Sequence, residues 1–242
     1  MLNDNQSGWK QLNKTLDRQL RKFMATMFPG RFPMLYSTLD NPIAVPVQVA
    51  AYKLAVSEYI QPGDKVLDVG FGLGFGFKIM AEKAAELSGI EIDRKAVASV
   101  QNLVSERIEI CEARHYDGVS IPYGNKSFDV VTCIDVLEHV PDYLGLIKEM
   151  VGVSRRIILL STPNRRLEYT RADGSPKNRW HLREWSYEEL DSILSQTLNV
   201  QVEWNFLNGS WSGPFEKSSV ISEDTLALTP ALNFSSATTK VG

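Results

Sequence analysis

The chain has 242 residues, 43% of them apolar, and a formal net charge of −3. A chain of that length can bury about 70 to 75% of its unfolded surface, enough for one full core. No run approaches the ~18 apolar residues of a membrane span, Met1–Gly8 has no secretory apolar stretch, the acidic balance argues against a nucleic-acid partner, and Cys111 and Cys133 are too few for a disulfide framework, so the expected location is the cytoplasm.

Near the start of the sequence, Trp9, Leu12, Leu16, Leu20, Phe23, Met24 and Met27 recur at helical spacing, with Lys10, Lys14, Arg18, Arg21 and Lys22 on the remaining face. Pro29, Pro33, Pro42 and Pro46 interrupt the next stretch, and a second helix is predicted over 47–60, so residues 1–61 read as a helical cap ahead of a main domain at 62–242. From Lys65 to Thr162 strands and helices alternate. Strands are predicted at 65–69, 88–92, 107–111, 128–134 and 156–161, and helices at 73–87, 94–104, 142–153 and 186–196, with an antiparallel pair at 199–207 and 220–228. Such alternation implies an α/β fold with a parallel sheet covered on both faces.

The first strand runs into Asp68-Val69-Gly70-Phe71-Gly72-Leu73-Gly74-Phe75-Gly76. Glycines there let the backbone turn sharply and approach a ligand closely. The dinucleotide fingerprint Gly-x-Gly-x-x-Gly is not met, because Phe75 or Phe77 falls where its third glycine belongs, and the acid Asp68 would repel a diphosphate. The run resembles motif I of the class I S-adenosylmethionine-dependent methyltransferases, Asp-x-Gly-x-Gly-x-Gly. Three further segments extend the resemblance over about 65–190: Gly89-Ile90-Glu91-Ile92-Asp93, Glu112-Ala113 with Ile121-Pro122-Tyr123, and Phe128-Asp129-Val130-Val131 through Asp135-Val136-Leu137-Glu138-His139.

That resemblance implies a Rossmann-like fold: a mostly parallel seven-stranded sheet with an antiparallel last strand, helices on both faces and an N-terminal helical cap. It implies S-adenosylmethionine as methyl donor and S-adenosylhomocysteine as product, held by Asp68, Gly70, Phe71, Gly72, Gly74, Glu91, Ile92, Glu112, Ala113 and Asp135. Glu91 is the expected partner of the ribose hydroxyls, and Glu112-Ala113 of the adenine. The bulky Phe71, Phe75 and Phe77 around the glycines are expected to narrow the cleft.

Residues 163–185 form an insertion after the fifth strand, and from Arg155 to Arg183 eight Lys or Arg residues face two acids, Glu168 and Asp173. An acceptor carrying phosphate or carboxylate fits that patch. His181-Leu182-Arg183-Glu184-Trp185 resembles a segment of methyltransferases that modify glycans and lipid-linked sugars, while Ser186 and Glu189 read as a capping box. A neutral hydroxyl is a poor nucleophile, so the expected chemistry is O-methylation of a sugar or other polar small molecule with His181 or His139 as base. An amine acceptor, an RNA or protein acceptor, and a silent cofactor-binding protein are the alternatives. Asp135, Glu138 and His139 also resemble an arrangement of ubiquinone-pathway O-methyltransferases that can hold a divalent cation; no metal ligand is assigned on that ground.

Overall fold

Val66, Leu67 and Val69, an apolar run closed by Gly70, form strand β1 (Lys65–Val69), and the apolar Phe128–Ile134 run forms β4 over those same residues. Both strands match their predicted bounds, because a short buried strand between turn residues is the simplest pattern to read. The structure is a computed structural model that describes residues 37–38, 41–42, 46–107, 111–198, 200–209 and 215–233. The basic helix predicted around Trp9–Met27 lies outside them.

Eight of the described strands make one sheet: β1, β2 (Glu86–Glu91), β3 (Cys111–His115), β4, β5 (Ser154–Pro163), β6 (Gln201–Gly209), β7 (Phe215–Ser218) and β8 (Thr225–Asn233), in the order β3-β2-β1-β4-β5-β8-β6-β7. The first five run parallel, and β8 enters antiparallel between β5 and β6. The sheet therefore has the expected layout with its antiparallel last strand, plus one more strand than the seven expected, β7, at the outer edge beside β6. Among the described residues five α-helices flank it: α1 (Pro46–Leu54), extended by a π-helical turn Ala55–Tyr59, α2 (Phe75–Met80), α3 (Arg94–Arg107), α4 (Tyr143–Val153) and α5 (Tyr187–Thr197).

The period-two alternation of the strands divides the interior into two cores. Val66, Val130 and Leu159 face one side with Val47 and Ala51 of α1, Phe77 and Met80 of α2, and Val97 and Val100 of α3. Leu67, Val131 and Leu160 face the other with Leu146 and Met150 of α4 and Leu190 and Leu194 of α5. Residue 68 follows the register of Val66, which turns the Asp68 side chain toward α1. At the start of α5 the capping box is present, with the Ser186 hydroxyl accepting from Glu189 N and the Glu189 carboxylate accepting from Ser186 N; such a cap is worth about 1 kcal/mol.

Four segments depart from the sequence-based expectation. Helix α2 stops at Met80 instead of continuing to 87, because the chain must return for β2: Ala85 N donates to Asp64 O and Lys83 Nζ to Val56 O. Helix α3 continues to Arg107, which moves β3 four residues on from its predicted start and end. Strand β8 lies five residues further along than predicted, and it carries Pro230 in a central position opposite Trp204. Proline lacks a donor and argues against a central strand, so the pattern breaks where the strand in fact continues. Finally, the rings of Phe71 and Phe77 pack against each other at 5.1 Å in the core, and of the two only Phe71 also lines the cleft.

Candidate functional site

At the carboxyl end of β1 the chain makes a turn that only glycine accommodates easily. Gly70, Gly72 and Gly74 have φ of 73, 56 and 75°, all left-handed. A Cβ on Gly70 would lie 2.6 Å from Val136 Cγ2, so this turn is packed directly under the end of β4. Gly70, Phe71, Gly72 and Leu73 line a cleft with Ile134 of β4 and with Gln48 and Tyr52 of α1.

Two carboxylates brace the turn. Glu91, at the end of β2, accepts from Gly72 N at 2.9 Å with Oε2 and from Ile92 N and Asp93 N at 2.7 and 3.0 Å with Oε1. Burial raises its pKa, and those backbone donors oppose the rise. Asp68 is fully buried, with Oδ1 accepting from the Thr132 hydroxyl at 2.8 Å and Oδ2 from the Tyr52 hydroxyl at 2.9 Å. Desolvation pushes its pKa up to about 7. Asp68 thus ties α1 to the sheet beneath the turn.

Of the other predicted residues, Ile92 stands exposed at the rim. Glu112 and Ala113 stand within β3, opposite Ser88 and Gly89, and below the level where Glu91 meets His115. Glu112 pairs with Arg114 at 2.6 Å. The loop that leaves the carboxyl end of β3 begins at Tyr116 and contains Asp117 and Gly118. Asp117 Oδ1 accepts from Val119 N and Ser120 N, both at 2.8 Å, and a Cβ on Gly118 would lie 3.3 Å from Ile92 Cγ2. Asp117 and Gly118 were not singled out from sequence, although they precede Ile121-Pro122-Tyr123 with only Val119 and Ser120 between and so mark the loop that Glu112-Ala113 was expected to occupy.

Beyond Ile134, the end of β4 leads into the loop on which the 163–185 insertion docks. Asp135 has a left-handed φ of 52°, rare for a residue with a Cβ. Its N donates to Ser161 O at 2.9 Å and its Oδ1 accepts from the Ser161 hydroxyl at 2.5 Å. Burial raises its pKa, with Ser161 and Gln48 side chains opposing as donors. The insertion docks on the β4–α4 loop through Leu182 N, which donates to Glu138 O at 2.8 Å, and through Arg183, which donates to Pro141 O at 3.1 Å and lies over the Tyr143 ring. This docking brings His181 to His139, ring centroids 4.9 Å apart and edge to face.

Both imidazoles are oriented through Nδ1. His139 Nδ1 meets Trp180 O at 2.9 Å, and because a carbonyl only accepts, that nitrogen carries the proton. His181 Nδ1 donates to the buried Glu184 carboxylate at 2.6 Å, while its Nε2 accepts from Asn178 Nδ2 at 2.8 Å. Burial lowers the His139 pKa. Meanwhile the cations of the insertion are engaged within the protein: Arg165 with Glu189, Arg166 with Glu168, Arg171 with Ser175, Lys177 with Glu168 O, and Arg179 over the Trp180 ring. Of these contacts only those of Arg165 and Arg166 are with carboxylates, so the positive patch expected from sequence is answered internally in part.

Residues 67–156 match a family described as a methyltransferase domain. A probable S-adenosylmethionine-dependent methyltransferase of Mycolicibacterium smegmatis is 32% identical over 143 residues, covering 58% of this chain and 53% of that protein. A ubiquinone biosynthesis O-methyltransferase of Haemophilus ducreyi is 32% identical over 117 residues, 44% of this chain and 48% of that one. The chain thus spans about half the length of the curated relatives it matches. Among solved structures, magnesium protoporphyrin IX methyltransferase from Synechocystis with bound SAH superposes with a TM-score of 0.59 at 18% identity, over 78% of this chain and 82% of that one.

Proposed function

We propose that this chain is a class I S-adenosylmethionine-dependent methyltransferase, a reading supported by the methyltransferase-domain match and the S-adenosylmethionine-dependent relatives, and that it methylates a hydroxyl oxygen of a sugar or other polar small molecule. The observations that carry the reading are the glycine turn braced by Glu91 and the His181–Glu184 pair, which the docked insertion holds beside the loop after β4. The turn fits the cofactor because its three left-handed glycines keep the floor free of side chains beside a carboxylate placed to accept hydroxyl donors. When bound, the cofactor supplies an electrophilic methyl group on a sulfonium.

The roles of the chain's own residues follow from their positions. Glu91 takes the ribose hydroxyls while holding Gly72 in place. Ile92, Asp117 and Gly118 form the adenine side, in place of Glu112 and Ala113, which sit too low in β3. Gln48 and Tyr52 close the cleft from α1, so the cap predicted over 1–61 contributes at least this wall. Glu184 accepts from His181 Nδ1 and stabilises the imidazolium that forms, so Nε2 acts as the proton acceptor once the acceptor hydroxyl displaces the exposed Asn178 amide from it, in the manner of an acid-oriented general base. An in-line attack needs the acceptor oxygen close to the methyl group, and Asp135, clamped by Ser161 at the end of β4, is placed to orient that hydroxyl.

Two measurements test this. Glu91→Ala is expected to weaken S-adenosylmethionine in calorimetry by roughly 1.5 to 3 kcal/mol, the value of charge-assisted bonds left unmade; an unchanged affinity removes Glu91 from the ribose site. His181→Ala is expected to slow single-turnover methyl transfer about 10²- to 10⁴-fold with cofactor affinity retained. If His139→Ala and His181→Ala, singly and together, leave that rate intact, the acceptor is an amine or another group that needs no base. Incubating the protein with labelled methyl donor and a cell extract identifies the acceptor.

A further inference from the structure

Leu182, where the insertion meets the loop after β4, is 54% exposed. Burial of its side chain therefore does not hold the contact together, and polar groups must. Leu182 N donates to Glu138 O at 2.8 Å. Beside it, Arg183 Nη1 donates to Val140 O at 3.4 Å and to Pro141 O at 3.1 Å, the carbonyls at and just past the end of the 3₁₀ turn Leu137–His139. Carbonyls that leave a helical turn have no donor within it, and a guanidinium supplies one. The same guanidinium lies over the Tyr143 ring, 4.7 Å from its centre, and the buried Trp185 packs against that ring at 5.0 Å. Tyr143 opens α4, whose start is fixed by Asp142 accepting from Gly145 N at 2.9 Å.

Among the described residues, the other cations of the insertion meet groups of the insertion itself or, for Arg165, Glu189 of α5. Arg183 is the one whose side chain crosses to the loop after β4. Its neighbours along the chain show what that crossing controls. Alternate side chains part company: Arg183 and Trp185 go to the Tyr143 ring, whereas Glu184 goes to His181, whose Nδ1 stands 2.6 Å from its carboxylate. A displacement of the backbone at 183 therefore moves the imidazole and its orienting acid together. We propose that Arg183 is a positioning residue for methyl transfer, a clamp that seats the insertion on the loop after β4 and so sets where the His181–Glu184 pair stands. The clamp acts through His181 and thus rests on the proposed function. The segment His181-Leu182-Arg183-Glu184 then holds a base, a clamp and an orienting acid in one short stretch.

The partners of Arg183 require arginine in particular. Two carbonyls and an aromatic face suit a planar, multiply donating group, whereas a lysine keeps a donor for the carbonyls and loses the flat contact with the ring. Among the described residues Arg183 makes no ion pair, and its bond to Pro141 O is exposed, so the clamp contributes little to global stability and much to placement. A misplacement of roughly 1 Å costs about 10²-fold in rate.

The first test is hydrogen exchange at Leu182 N in the full chain, with neither donor nor acceptor added. Arg183→Ala is expected to speed that exchange at least tenfold while the thermal midpoint stays near wild type, and Arg183→Lys is expected to fall between the two. The second test is the rate of label transfer from methyl-labelled S-adenosylmethionine to a cell extract. Arg183→Ala is expected to lower it about 10²-fold with cofactor affinity in calorimetry unchanged, with partial rescue by Arg183→Lys, and to add less than about twofold in a His181→Ala background. Wild-type exchange at Leu182 N in Arg183→Ala overturns the clamp, as does a full rate loss in the His181→Ala background. If His181→Ala alone leaves the rate intact, the base role under the proposed function is lost, whereas faster exchange in Arg183→Ala still supports the clamp.

Discussion

Asp68→Asn is expected to stabilise the protein at pH 8 relative to pH 4 by roughly 4 kcal/mol against the wild type, at about 1.4 kcal/mol for each tenfold change in proton affinity between the folded and unfolded chain. The cause is the burial of a carboxyl group whose partners, Tyr52 and Thr132, are neutral hydroxyls. Unfolded, Asp68 ionises near 3.8; folded, it ionises only at about 7. Between those values the folded chain holds a proton that the unfolded chain has released, so stability is full below about pH 4, declines as pH rises and is lost by about pH 7. The asparagine variant has nothing to titrate and keeps both hydroxyl partners within reach. Urea midpoints of the two proteins from pH 4 to pH 8 measure the difference directly. Parallel curves would mean that Asp68 is already ionised in the fold at low pH, with a cationic partner not recognised among the described residues.

Gly70→Ala is expected to cost about 2 to 5 kcal/mol and to abolish measurable cofactor binding. Two separate penalties combine. A left-handed φ of 73° costs an alanine roughly 1 to 2 kcal/mol, and the added Cβ, 2.6 Å from Val136 Cγ2, forces an overpacking shift of about 1 to 3 kcal/mol. The shift falls on the segment between Asp135 and His139, so the loop after β4 is disturbed together with the glycine turn. Combining Gly70→Ala with Val136→Ala separates the two penalties. The double variant should regain the steric part and keep the conformational part, and a strictly additive cycle would mean that Val136 does not set the packing of the turn.

Much of the framework was readable because it depends on local patterns. Val66–Val69 and Phe128–Ile134 are apolar runs closed by turn or polar residues, so β1 and β4 fall where expected. Ser186 and Glu189 announce the start of α5 by a capping pattern complete within four residues. Errors arose where distant contacts override local preference. Ala81–Ala85 are good helix formers, yet the return to the sheet ends α2 at Met80. Pro230 disguises β8, whose place between β5 and β6 is sustained by neighbours on either side. The displaced β3 put Glu112 and Ala113 inside the strand and left Asp117 and Gly118 in the loop at its carboxyl end.

Local chain chemistry was enough to dictate the alternating architecture, the left-handed glycine turn and the acid at the end of β2, because glycine conformation, strand periodicity and residue spacing act within a few positions of the chain. Which groups meet is a matter of the folded arrangement alone. It buries Asp68 under Tyr52 from α1, ties Asp135 to Ser161 of β5, and closes the insertion so that His181 stands 4.9 Å from His139 across 42 residues of chain. Those encounters come from helix docking and loop hydrogen bonds over long sequence separations, which no local periodicity encodes.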